Sequence, residues 1–231
     1  MSSQSSQSED QMSSQADHVP TAGFGPDLKK YFNNKTLSDV VVRCSSQEFA
    51  VHKLVLFSHS EYFVKQLSGP WKESQENAIV ITEFHADVVE AMLYFLYHLD
   101  YKVPTNAMIF NARMYEIADN YGLDSLKNLA KDKFRTAIEA DWNEAEYVDA
   151  ISIVYTSTPP QDHDLRESVV DISMEHMNEL IGHGDFKSAL EANPEFAIDI
   201  IHGQAEKIAE IQNRGYPRYR YAPYSWKPRH L

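Results

Sequence analysis

The sequence predicts an α+β domain with a further helical segment behind it, and two observations carry that prediction. Three short runs, Val40-Val41-Val42, Glu48 to Val51 and Ala78-Ile79-Val80-Ile81, have the β-branched content or the two-residue alternation of strands. The stretches between and after them carry apolar residues at three- and four-residue intervals, the period of helices buried along one face.

In chain order, Asp27 opens a short helix over Leu28 to Phe32. The first strand is followed by Ser45-Ser46-Gln47, a compact polar hairpin turn, and then by the second strand. His52 begins a helix bearing Leu54, Val55, Leu56 and Phe57. Ser60 is placed to cap the next helix with its hydroxyl, and Gly69-Pro70 ends that helix. After the third strand, His85 to Leu99 is helical, with Val88, Val89, Met92, Phe95 and Leu96 on one broad face. Thr105 is placed to cap the helix that carries Met114, Ile117, Ala118 and Tyr121, and Gly122 suits the left-handed residue that closes it. Leu126, Leu129, Ala130 and Phe134 mark one more helix. Further on, Tyr147, Ala150, Ile151 and Val154 stripe one helix, and Leu165, Val169, Ile172 and Leu180 stripe another. Asn193-Pro194 opens a last one with Phe196, Ile198, Ile200 and Ile201.

These signals divide the chain. Residues 1–26 begin with a Ser/Gln-rich stretch and end in Pro20, Gly23, Gly25 and Pro26; such composition buries too little to offset its ordering entropy and predicts disorder. Residues 27–138 form the main domain, 141–210 a helical extension, and 212–231 a Tyr/Arg/Pro tail predicted to lack regular structure. The net charge is −13; because 212–231 hold five cations and no acid, the rest of the chain carries −18. That sets the body of the protein against nucleic acid. Arg–aromatic alternation in the tail suits either base stacking or docking on the acidic body.

Several functional classes find no support in these residues. The sequence has no G-x-S-x-G, no phosphate-binding glycine loop and no H-E-x-x-H, so no catalytic residue, cofactor or metal ligand is assigned. No apolar run approaches a membrane span, and the first residues lack a secretory hydrophobic region. A single cysteine, Cys44, fits a small core residue in a reducing compartment, so the expected location is cytoplasmic, nuclear or both. The expectation is a non-enzymatic protein whose partners are other proteins.

Specific residues then carry a family resemblance. Ser38-Asp39-Val40, the F-x-V-H-K-x-x-L run from Phe49 to Leu56, and Ser60-x-x-Phe63 are similar to the BTB/POZ family. Glu73 ahead of the third strand, FLYHLDY at 95–101 and EIADNYGLDSLKNLAKDKF at 116–134 extend the likeness in the family's order, and the whole resembles BTB proteins of filamentous fungi. The resemblance implies three short strands capping a helical cluster, and protein–protein contact as the activity. It implies a cullin-3-type ubiquitin-ligase scaffold as one partner, met through Trp71 and Glu73 with Tyr62 and Phe63 beside them, and a helix pair after the domain that extends this contact. It implies a homodimer face on the 27–34 helix, Leu28, Tyr31 and Phe32, with Asp39 and Lys53 paired in a shallow groove; no strand precedes that helix for exchange, so the expected dimer is weak. His52 is expected to hold the strand-to-helix turn. A homodimeric structural or transcription-regulatory scaffold without ligase recruitment is the alternative.

Overall fold

The computed structural model describes residues 28–215. The predictions for residues 1–26 and for the tail beyond Gly215 lie outside them. The chain enters through a 3₁₀ turn, Lys29–Tyr31, which is shorter than the helix expected over 28–32. Strands β1 (Val40–Cys44) and β2 (Gln47–Val51) form an antiparallel hairpin across Ser45-Ser46, where Ser45 adopts φ +56°. Three helices follow: α1 (Lys53–His59), α2 (Glu61–Ser68) and the single turn α3 (Lys72–Glu76). The sequence did not point to α3, because KESQE has no apolar period. Strand β3 (Ala78–Ile81) then lies parallel to β1, giving the sheet order β2-β1-β3. Val40, Val42, Cys44, Phe49, Val51, Ile79 and Ile81 turn into the core, and Val80 on the β3 edge turns out.

Helix α4 (Ala86–His98) packs against α1 and against the first helix of a long helical hairpin, α5 (Ala107–Asn120) and α6 (Asp124–Asp141). The hairpin turn follows from the sequence Tyr-Gly-Leu. Gly122 sits at φ +62°, a conformation that a side chain would strain. The Leu123 N–H donates to the Ala118 carbonyl (2.8 Å) and the Gly122 N–H to that of Asp119 (3.1 Å), the paired bonds of a Schellman closure. Ser60 reaches this turn from the α1–α2 junction. Its hydroxyl donates to the Tyr121 carbonyl (2.5 Å) and accepts the Tyr62 N–H (3.1 Å) that opens α2. Phe63 stacks on the Tyr121 ring, centroids 5.4 Å apart. One serine therefore caps α2 and fastens it to the hairpin.

The extension is helical throughout the described residues: α7 (Ala145–Ser157), α8 (Asp164–Glu175), a short α9 (Met177–Leu180), α10 (Gly184–Ala192) and α11 (Pro194–Gly215). Helix α11 runs four residues into the stretch assigned to the irregular tail. The extension lies on the outer side of the hairpin, α7 against α5 and α8 against α6. Tyr147, Ala150, Ile151, Val154, Leu165 and Val169 join one continuous core with the residues of the first domain. The predicted Thr105 cap is not used; Asn106 precedes α5 without a side-chain cap, and Glu146 of α7 accepts the Ile109 N–H instead (3.0 Å). Asp162 accepts from the Tyr115 hydroxyl (2.7 Å) and from Lys127 Nζ (2.9 Å), so the α7–α8 loop is tied to both hairpin helices. Arg166 is buried; it donates to the Thr158 carbonyl and hydroxyl and to Glu195, and lies over the Tyr155 ring. Ile198 and Ile201, expected in the core stripe, face outward.

Replacing Ser60 by Ala removes a helix cap and leaves the buried Tyr121 carbonyl without that partner. The expected cost is about 1–3 kcal/mol, read as a lower urea midpoint at unchanged slope, in a single transition that includes the extension because the core is continuous.

Candidate functional site

The junction of β2 and α1 is held by polar groups at three points. The His52 N–H donates to the Tyr97 hydroxyl (3.0 Å), and the same hydroxyl lies 2.8 Å from His52 Nδ1. His52 Nε2 lies 3.0 Å from the Thr36 carbonyl. A carbonyl can only accept, so Nε2 carries the proton, and Nδ1 accepts from Tyr97. The histidine thus bridges the segment before β1 to helix α4. Burial, opposed by the His52 N–H and assisted by the Asp39 charge, pushes the Tyr97 phenol up to about 12, so it stays protonated and able to donate. The Asp39 carboxylate accepts the Lys53 N–H (2.7 Å) and so caps α1 from outside the helix. The expected Asp39–Lys53 charge pair is not what forms: the Lys53 ammonium turns to the Asn77 side chain at the end of α3. Asn77 itself takes a left-handed conformation, φ +50°.

The Trp71 segment links α2 to β3. Trp71 precedes α3, is 60% exposed, and lies over Gly69, where an added Cβ would stand 2.5 Å from the indole ring. Glu73 is half-buried in the first turn of α3. Tyr62 is 43% exposed on the first turn of α2, edge-on to Tyr121. Tyr62 and Trp71 stand at opposite ends of α2, roughly 10 Å apart along its axis. Phe63 corrects the sequence reading: it is 0% exposed and stacked inside the fold, so it supports this surface without touching a partner.

The proposed dimer residues separate in the same way. Leu28, Tyr31 and Asp39 line a shallow groove of about 500 Å³ with His52, Leu37 and Leu54. Phe32 does not line it; its ring is edge-on to Tyr94, Tyr97 and His98 on α4. Lys53 does not line it either. The sequence reading missed Leu37 and Leu54, 78% and 69% exposed, the most exposed leucines of this face. Leu54 points outward because Val55 and Leu56 take the inward positions of α1, a consequence legible in the period. Leu37 is placed by a left-handed turn, φ +63°, that its sequence does not signal.

Among the described residues no three histidine, cysteine, aspartate or glutamate side chains converge on a common point that could hold a metal ion. No described helix is long and apolar enough to cross a membrane. Tyr62, Trp71, Leu37 and Leu54 are the exposed large apolar side chains among these site residues.

Comparison of the sequence with known proteins identifies the first domain. The family profile of the BTB/POZ domain matches residues 28–137. A BTB/POZ domain-containing protein of Arabidopsis thaliana is 24% identical over 200 residues, covering 85% of this chain and 92% of that protein. A Kelch repeat and BTB domain-containing protein of Mus musculus is 26% identical over 99 residues, 43% of this chain, and the match spans only 18% of that longer relative. Among solved structures, the BTB domain of human gigaxonin is 17% identical, covering 47% of this chain and 87% of that one at a TM-score of 0.39. Residues 28–137 of this chain are a BTB/POZ domain, a protein–protein interaction module.

Proposed function

We propose that this chain is a non-enzymatic adaptor that presents Trp71, Glu73 and Tyr62 to a cullin-3-type ubiquitin-ligase scaffold, acting in the cytoplasm or nucleus. The observation that carries the reading is the exposure of Trp71. A tryptophan left largely in water by its own fold, at a segment fixed at both ends, is the kind of aromatic anchor on which protein interfaces concentrate their energy. Glu73, half-buried beside it, is placed to accept a hydrogen bond at the rim. Phe63 and Leu67 fill the inner face of α2, which keeps Tyr62 turned outward. The test is co-purification of the full chain with a cullin-3 N-terminal domain. Wild type is expected to bind; Trp71→Ala weakens binding by about 2 kcal/mol or more, roughly thirtyfold, and Glu73→Ala by less. A wild-type chain that does not bind ends the adaptor reading.

A homodimeric structural or transcription-regulatory scaffold is the second reading, favoured by the exposed Leu37 and Leu54 beside Leu28 and Tyr31. A two-fold dimer would set this same patch of each copy against the other and cover both leucines. Light scattering after gel filtration at micromolar concentration is expected to give twice the 26.5 kDa of one chain, and Leu54→Glu to return the monomer mass. A monomer for wild type overturns this reading and leaves the adaptor reading standing.

A further inference from the structure

Helices α8 and α11 leave between them a groove of about 500 Å³. Its charge is one-sided. Five carboxylates, Glu167, Asp171, Asp199, Glu206 and Glu210, line it against two cations, Arg166 and Lys207. Arg166 is already committed to Glu195 at 2.7 Å and to Thr158. The Glu167 and Glu206 carboxylates accept no hydrogen bond or ion pair among the described residues, so their charge is open to a partner. The floor is apolar, made by Val170 and Met174, and it is close because Gly203 lets α11 approach: an added Cβ there would stand 2.6 Å from the Met174 sulfur. The groove therefore asks for a ligand that is cationic along its length and carries flat apolar groups.

The same chain supplies that chemistry. Residues 216–231, YPRYRYAPYSWKPRHL, follow directly on α11 and hold Arg218, Arg220, Lys227 and Arg229 with no acid, interleaved with four tyrosines and one tryptophan. The geometry permits return. Doubling back from Gly215 to the level of Asp199 covers 16 residues of helix, about 24 Å. Sixteen extended residues reach roughly 50 Å. We infer that residues 216–231 dock in the α8–α11 groove of their own chain, with the cations set against Glu167, Asp171 and Glu206 and an aromatic ring over Val170 and Met174. Several weak pairs act together here, because the tethered segment needs no bimolecular encounter.

Zero-length carbodiimide coupling of the full chain tests this, with Lys227 as the reporting amine. Mixing isotopically light and heavy chains separates links within a chain from links between chains. The expected product joins Lys227 to a groove carboxylate within one chain. Asp171→Lys with Glu206→Lys lowers its yield by roughly tenfold at low salt, and Arg218→Glu with Arg220→Glu does the same. Combining the four substitutions restores the link, which a misfolded variant would not do. Lys227 links that fall equally on acids away from the groove, that form only between chains, or that ignore the charge reversals would overturn the inference.

Discussion

The hairpin of α5 and α6 is the constraint on which the rest of the structure depends. Its first helix, α5, takes α4 on one side, its outer side takes α7 and α8, and its turn takes the Ser60 hydroxyl. Gly122 makes the reversal possible in one residue, and the two bonds of the Schellman closure satisfy two of the carbonyls left open at the end of α5. Loosening that turn would act in two directions at once: α2 would lose the Ser60–Tyr121 tie and its Phe63–Tyr121 stack, and the extension would lose the register of Tyr115 and Lys127 with Asp162.

The surface chemistry follows from this frame. Helix α2 has two inward anchors, Phe63 and Leu67, four residues apart on one face. That fixes its rotation and leaves Tyr62 outside. The chain then turns at Gly69, with the Trp71 ring laid over the glycine where a side chain would collide. The aromatic exposure is thus a consequence of packing elsewhere, and it survives because α3, short as it is, is closed by Asn77 and tied through Lys53 to α1. The extension adds buried charge where a simple helical pair would add leucines. Tyr155 bonded to Asp199, Arg166 bonded to Glu195, and Tyr147 bonded to Val169 and Ser173 set the order in which its helices stack.

Much of this was legible in the residues. The three strands, the Ser60 cap, the Gly69 stop and the Gly122 turn were readable because each is set by local chemistry: β-branched content, a hydroxyl ahead of a helix, a glycine at positive φ. The buried Cys44 was readable from strand alternation. What failed to show has a common physical cause. Glu146 capping α5, Lys53 turning to Asn77 and Phe32 packing on α4 are tertiary choices between partners that sequence spacing cannot rank. Phe63 was assigned to the partner surface with Tyr62 on the family resemblance, whereas the helical period puts it and Leu67 inside. Ile198 and Ile201 fit an apolar stripe, but α11 is bound on one side only, and Phe196 and Ile200 hold that side.

The central claim is that the BTB fold holds Trp71 in water as a ready contact. Hydroxyl-radical footprinting of the full chain, read residue by residue by mass spectrometry, tests it most directly, with Trp142, stacked on His176, as the internal reference. The account predicts that Trp71 is oxidised faster than Trp142 in the free protein and becomes protected when a cullin-3 N-terminal domain is added. A Trp71 as slow as Trp142 in the free chain, or one still fully reactive in a complex that has formed, would contradict it.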